Sequence, residues 1–357
     1  MNTELILVIN PGSTSTKIAV FEEEKSIFNK NIKHSSDDLK GFHKITEQFE
    51  FRKDIIIKEI KEQGIDINQI KIIVGRGGLI KPIPSGVYSV NEKMIEDLKT
   101  GVLGEHASNL GGLIADNIAK SIADAKAFIA DPVVVDELDA VARISGHPLF
   151  ERVSIFHALN QKAIARTYSK SINKNYEELN LIVAHLGGGI SIGAHCKGKV
   201  IDVNNALDGE GPFSPERSGS LPVGALAKLC FSGKYSYDEI KKMITGKGGF
   251  VAYLDTNDAY NVEIRVQRGE EKAKLIQEAM CYQIAKEIGS LAAALKGKVD
   301  AIILTGGVAY NSDVVDYIKS MVLFIAPVYV YPGEDEMKAL AMNGLMLLKK
   351  QIKPAIY

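Results

Sequence analysis

A chain of 357 residues is too long for one ordinary core and suits two domains. With 46% apolar residues and a formal net charge of -1, it can bury two cores and lacks the basic excess that nucleic-acid binding demands. Cys196, Cys230 and Cys281 share no metal-ligand spacing and cannot all pair with one another, so they read as thiols of a reducing compartment. The N-terminus, MNTELILVIN, has no basic segment and contains Glu4, unlike a signal peptide. The longest apolar run, 321–331, is broken by Pro327 and falls far short of a bilayer span. These features predict a soluble, cytoplasmic protein that engages neither membrane nor nucleic acid.

In chain order, residues 5–9 read as a short apolar strand ending at Asn10-Pro11-Gly12, and 14–21 as a second strand after a Pro/Gly turn. Strand 27–32, a charged helix over 43–63 and strand 70–75 follow. Ser108 is placed to cap a helix over 110–125, and 127–129 is a buried strand ending at Asp131-Pro132. The second half repeats the logic. Strand 181–184 ends at His185, Gly187-Gly188-Gly189 is a turn, and 191–195 resumes the alternation. ILVINPGSTSTKIAV and LIVAHLGGGISIGAH thus share one pattern of strand, polar residue, glycine turn and strand. That pattern predicts a duplicated β-hairpin, one per domain, with chance likeness as the open alternative. Helix 271–295, strand 301–304, Gly306-Gly307, a helix from Ser312 and a last helix over 334–350 complete the chain. Strands alternating with helices predict α/β layers. The domain boundary is expected near His147-Pro148.

No Walker A sequence and no G-x-G-x-x-G after the first strand is present. The candidate phosphate loops are the hairpin turns, where glycine lets backbone N–H groups approach an anion. Gly12, Ser13, Ser15 and Lys17 supply hydroxyls and a cation in one, and Gly187, Gly188 and Gly189 form the other. Each is also compatible with an ordinary β-turn.

Asn10-Pro11-Gly12-Ser13-Thr14-Ser15-Thr16-Lys17 resembles the N-x-G-S-x-S-x-K signature of acetate and butyrate kinases. His185-Leu186-Gly187-Gly188-Gly189 is similar to their second signature, and Thr305-Gly306-Gly307 with Asn311-Ser312 to their adenosine loop. The motifs fall in family order over nearly the whole chain. The resemblance implies a duplicated two-domain α/β fold of the actin, Hsp70 and sugar kinase superfamily, with an interdomain cleft. Residues 1–148 with the C-terminal helix 337–357 would form the acyl side, and 149–336 the nucleotide side. Ala142-Arg143-Ile144-Ser145-Gly146-His147-Pro148 and Ser154-Ile155-Phe156-His157-Ala158-Leu159-Asn160-Gln161 are similar to the butyrate kinase branch.

The implied reaction is reversible transfer of the ATP γ-phosphoryl to the carboxylate of a short-chain fatty acid, giving acyl phosphate and ADP with Mg2+. Acetate or propionate kinase activity, and a non-enzymatic ATP-binding role on the same fold, are the alternatives. A carboxylate is already ionised at neutral pH and needs no general base; the demand is for cations where charge gathers. By resemblance, Arg76 binds the substrate carboxylate and Arg217 stabilises the transferring phosphoryl, both tasks suited to a guanidinium. The resemblance likewise gives His157 to the phosphoryl oxygens and His106 to the acyl group. Phe156 and Pro215 would line the acyl pocket, and Asp131 would help place Mg2+ or the arginines. Asn10, Gly12, Ser13, Ser15, Lys17, His185, Gly187, Gly188, Gly189, Gly306, Gly307 and Asn311 would hold ATP. Glu336, with Asp335 as the fallback, and Asn10 would reach the metal. His34, His43, His147 and His195 read as structural. The family implies a homo-oligomer, at least a dimer.

Overall fold

The computed structural model describes residues 4–357, which divide into two compact units, 4–135 with 335–357, and 136–334. The chain enters the second unit at Asp136, ahead of the expected 148. Asp136 accepts from Arg143 NH1 and NH2 at 2.7 and 2.6 Å, and Glu137 takes the Lys162 ammonium at 2.7 Å, so both acids are anchored in that unit. Glu336 belongs to the first unit rather than to 149–336, for reasons its partners make clear below.

Five strands of the first unit are β1 (Leu5–Pro11), β2 (Ser15–Glu22), β3 (Lys25–Lys33), β4 (Ile70–Arg76) and β5 (Val87–Ser89). With β6 (Lys126–Ala130) and a short C-terminal strand, Ala355–Ile356, they make a seven-stranded sheet. The second unit holds β7 (Asn180–Leu186), β8 (Ile190–Cys196), β9 (Lys199–Val203), β10 (Ala301–Gly306) and β11 (Val328–Pro332). Their order is β11-β10-β7-β8-β9, and the first sheet contains the matching run β6-β4-β1-β2-β3. In each, the first two strands form an antiparallel hairpin, the third extends it, and on the first strand's other edge a parallel strand pairs with it and a second parallel strand with that one. The duplication suggested by the two glycine-turn patterns is therefore present strand for strand.

The alternation of β-strands sends successive side chains to opposite faces. In the first unit Leu5, Leu7 and Ile9 face Ile56 and Ile60 of the helix Phe49–Glu62 and Leu110, Ile114 and Ile118 of Asn109–Ala119. On the other face the helix Glu336–Leu348 comes in so closely that a Cβ on Gly344 would lie 2.8 Å from Ile6 Cγ2. In the second unit Ile182, Ala184, Ile190, Ile192 and Ala194 face the helices Glu271–Ala294 and Ser312–Val322. Leu181, Val183 and Ile303 turn instead toward the helix Ala158–Ser171. Each buried Leu or Ile contributes about 1.5–3 kcal/mol, so both sheets are anchored on two sides.

Two helices differ from expectation. The charged helix begins at Phe49, because a 3-10 turn over Ile45–Gln48 precedes it. The helix expected over 110–125 ends at Ala119, and Ser108 stands at its cap position without capping, its hydroxyl being 2.8 Å from His106 Nδ1. Among the described residues no helix is long and apolar enough to cross a membrane.

Candidate active site

In the first unit the β1–β2 turn is closed by Gly12 N–H donating to the Ser15 carbonyl at 2.8 Å. Asn10 and Lys17 face each other across the hairpin just before the turn. Arg52, wholly buried in the helix Phe49–Glu62, reaches into the turn from behind. It donates to the carbonyl oxygens of Gly12, Ser13 and Ser15 at 2.7, 2.9 and 3.0 Å and to Thr16 Oγ1 at 3.0 Å. Gln48 Oε1 holds its other side at 2.7 and 3.1 Å. Thr14 O accepts from the His34 backbone N–H at 2.9 Å. The carbonyls of residues 12–15 are thus all drawn inward, which suits the outer side of the loop, with the hydroxyls of Ser13 and Ser15 and the exposed Lys17, to an anion. Burial lowers the Arg52 pKa to about 10, so it stays cationic at neutral pH.

Arg76 ends β4, beside this turn. Its NH1 donates to Glu336 Oε2 at 3.0 Å and to Asn10 Oδ1 at 3.3 Å, and NH2 lies 3.0 Å from Glu336 Oε1. Asn10 Nδ2 donates to Glu336 Oε2 at 2.5 Å. The structure therefore brings Asn10, Arg76 and Glu336 into one cluster. Asp335 has a different task, its Oδ1 accepting the Lys338 N–H at 2.9 Å as a helix cap. A Cβ on Gly111 would stand 2.2 Å from the Arg76 carbonyl oxygen, so the helix Asn109–Ala119 meets the end of β4 only through glycine. Asp131 is buried and accepts from Ser85 Oγ at 2.6 Å and Gly86 N–H at 2.9 Å, which fixes the end of β6. His106 is exposed, and its Nδ1 accepts from the Ser108 N–H at 3.2 Å.

In the second unit His157 precedes the helix Ala158–Ser171, and its ring stacks on His185, centroids 3.8 Å apart at 16°. Its Nδ1 is 2.8 Å from Ser191 Oγ. His185, one residue before the end of β7, has Nδ1 2.9 Å from Asn160 Oδ1 and Nε2 3.6 Å from Glu334 Oε2. Gly187, Gly188 and Gly189 make the β7–β8 turn, and Ser214 Oγ donates to the Gly188 carbonyl at 2.5 Å. A Cβ on Gly189 would fall 1.9 Å from Arg217 NH1, so the guanidinium lies directly on this glycine. Arg217 donates once, from NH1 to the Ala206 carbonyl at 2.6 Å, and its buried Nε has no partner. Burial lowers its pKa from the ordinary arginine value, Glu216 opposing. The residue is partly exposed, and a guanidinium with donors to spare is chemically suited to an anion. Pro215 sits in the same loop, its carbonyl accepting the Val251 N–H at 3.0 Å, and Phe156 is buried next to His157 in the chain.

A cavity of about 210 Å³ opens in this unit, lined by Gly307, Val308, Tyr310, Asn311, Phe250 and Met280 among others. Gly306, at φ 90°, allows the turn into it: a Cβ there would meet the Leu186 carbonyl oxygen at 2.3 Å. Asn311 Oδ1 caps the helix Ser312–Val322 through the N–H groups of Asp313 and Val314. Mostly apolar walls with a few polar groups suit a flat heteroaromatic base.

Sequence reasoning missed Arg52, Ser191, Gln161 and Asn160. Arg52 has a visible signal, since it lies four and eight residues before Ile56 and Ile60 on the buried stripe of its helix. As for metal, Glu336 and Asn10 offer one carboxylate and one amide oxygen, and no group of three His, Cys, Asp or Glu side chains poised for a metal occurs among the described residues. Such a donor set fits a hard cation held chiefly by phosphate oxygens and water.

The chain is similar to known proteins over nearly its whole length. The Acetokinase family model matches residues 150–330. Butyrate kinase 2 of Clostridium acetobutylicum is 61% identical over 97% of both chains, and Butyrate kinase 1 of the same organism is 57% identical over 99% of both. The crystal structure of Porphyromonas gingivalis acetate kinase superposes with a TM-score of 0.79 at 19% identity, covering 97% of this chain and 100% of that one. The two-sheet α/β architecture is thus the fold of acetate kinase, and the extent and identity of the curated matches place the chain in the acetokinase family.

Proposed function

We propose that the chain transfers the γ-phosphoryl group of ATP reversibly to the carboxylate of a short-chain fatty acid, butyrate or a branched relative, yielding acyl phosphate and ADP. The observation that carries this furthest is the 61% identity to a butyrate kinase over 97% of the chain.

The residue roles follow from charge. Both reactants are anions, so the protein must supply positive potential and donors rather than a base. Arg76, held by Glu336 and Asn10, receives the acid's carboxylate, with His106, Phe156 and Pro215 toward its alkyl chain. Arg217 and His157 act on the equatorial phosphoryl oxygens. Arg217 is favoured by its partnerless buried Nε, an expense that an incoming phosphate would remove. The loop containing Gly12, Ser13, Ser15 and Lys17, the turn 187–189 and His185 take the phosphates, and the cavity at Gly307 and Asn311 takes the base. Asp131 acts indirectly, by fixing the chain after β6. Mg2+, when bound, neutralises phosphate charge, and Glu336 and Asn10 are the side chains that would reach it. The O–P bond to the carboxylate forms as the bond to the β-phosphate oxygen breaks, with ADP as the leaving group. We take the enzyme to be cytoplasmic and a homo-oligomer, at least a dimer, which sedimentation measures.

The test is acyl hydroxamate formation from ATP, Mg2+, hydroxylamine and straight or branched acids of two to six carbons. Highest kcat/KM with butyrate or isobutyrate supports the reading. Preference for acetate or propionate replaces the proposed substrate, and no hydroxamate with any acid removes the reaction.

A further inference from the structure

Behind His157 runs a hydrogen-bonded chain whose direction can be read atom by atom. Gln161 Nε2 lies 3.0 Å from the Ser191 carbonyl oxygen and 2.9 Å from Ser191 Oγ. A carbonyl only accepts, so this end of the amide is the donor and its orientation is fixed. The other end, Oε1, lies 2.9 Å from His195 Nε2, and that nitrogen must therefore carry a proton. His195 is fully buried, and desolvation, with Lys162 and Arg166 adding to it, drives its pKa well below the ordinary value, so the ring is neutral. A neutral ring with Nε2–H has a bare Nδ1, to which the Tyr176 hydroxyl donates at 2.6 Å.

Ser191 Oγ has two lone pairs and one proton. The lone pairs receive Gln161 Nε2–H at 2.9 Å and the His157 backbone N–H at 3.3 Å. The proton has one acceptor in reach, His157 Nδ1 at 2.8 Å. Were Nδ1 instead to donate, Oγ would face three donors and its own proton would have no acceptor.

We infer that Ser191, Gln161, His195 and Tyr176 are positioning residues that hold His157 as the neutral Nε2–H tautomer, a hydrogen-bond donor to the transferring phosphoryl and never a base. The inference rests on the proposed contact of His157 with the phosphoryl oxygens.

The fold is built around this chain. On β8, Ser191, Gly193 and His195 share the face opposite Ile190, Ile192 and Ala194, and Gln161 is on the first turn of the helix that covers that face. Gly193 leaves the room: a Cβ there would stand 2.6 Å from Gln161 Oε1 and 3.2 Å from His195 Nε2. The stacked neighbour His185 presents Nδ1 to the accepting Asn160 Oδ1, so neither ring is free to turn.

The experiment is a two-bond 1H–15N spectrum of the whole enzyme labelled in histidine nitrogen, with His157 assigned through a His157→Gln sample. A protonated Nε2 and a bare Nδ1 on His157 are expected. In Ser191→Ala the ring should become a mixture of tautomers, and kcat should fall about tenfold, the equivalent of one lost hydrogen bond, with KM for ATP and acid nearly unchanged. A wild-type His157 found as the Nδ1–H tautomer or as imidazolium overturns the inference, even if no Ser191 variant folds. So does Ser191→Ala with the wild-type tautomer and wild-type kcat. A His157→Gln enzyme as fast as wild type would instead remove the phosphoryl contact on which the inference rests, while leaving the tautomer measurement to stand by itself.

Discussion

The two hairpin turns share a strand pattern, yet an arginine secures each in an opposite way. At the β1–β2 turn, Arg52 spends its donors on three backbone carbonyls, Thr16 and Gln48, and none of its surface is exposed. At the β7–β8 turn, Arg217 lies on Gly189, makes one bond to the Ala206 carbonyl and leaves its buried Nε without a partner. Both are cations beside a proposed phosphate loop. The difference teaches where to look for a ligand: Arg52 is fully bonded within the loop it builds, whereas Arg217 keeps donors that we propose a phosphate takes.

The strongest way to break that comparison is to remove each arginine. Arg52→Ala strands several buried acceptors and should lose about 3–5 kcal/mol in urea unfolding. A loss below about 1 kcal/mol would take Arg52 out of the loop's construction. Arg217→Ala should do the reverse, keeping stability within about 1 kcal/mol while kcat falls at least about 10²-fold in the hydroxamate assay. Arg76→Ala should lose a similar factor, seen chiefly in kcat/KM for the acid.

Glycine replacements sharpen the contrast. Gly189→Ala puts a methyl 1.9 Å from Arg217 NH1 and must displace it, so kcat should drop about tenfold or more. In Gly12→Ala the nearest atoms are Ser15 Oγ at 3.4 Å and Ser15 O at 3.6 Å, which is ordinary contact. Its unfolding free energy should move by less than about 0.5 kcal/mol. Wild-type kcat in Gly189→Ala, or an unfolding loss above about 1 kcal/mol in Gly12→Ala, would undo the distinction.

The smallest effect is on acid stability. His34, beside Arg52 and Thr16, has its pKa pushed down to about 4 by burial and then by the Arg52 charge. The unfolded chain binds this proton near pH 6.5, the folded chain only near 4. Its contribution is therefore complete above pH 6.5 and is lost as pH falls from there toward 4. Buried His195 adds in the same direction, so His34→Gln should flatten the pH dependence of the urea midpoint only in part. An unchanged profile would mean His34 is protonated alike in both states.

Much of this was legible in the sequence for physical reasons. The runs ending at Asn10 and at His185 are continuously apolar, as strands buried on both faces are, and the glycine turn after each marks its hairpin. Of the two acids named for the metal, Glu336 stands against Arg76 and Asn10, and Asp335 caps the last helix. What escaped are side chains whose meaning lies in a partner far along the chain. Arg52 reads as one charge among many until Gly12, Ser13 and Ser15 are folded against it. Ser191 and His195 alternate with apolar neighbours on β8, a sign of a buried polar face, but the donor that organises them, Gln161, comes from another element. The entry to the second unit was misplaced because Asp136 and Glu137 carry no mark of their attachment to Arg143 and Lys162.

The most direct test of the central claim follows oxygen. Enzyme given MgATP and butyrate labelled with 18O in both carboxylate positions should yield butyryl phosphate whose 31P signal shows the isotope shift of one 18O bonded to phosphorus. Orthophosphate as the only new phosphorus product, or an acyl phosphate without that shift, would contradict attack by the carboxylate on the γ-phosphoryl group.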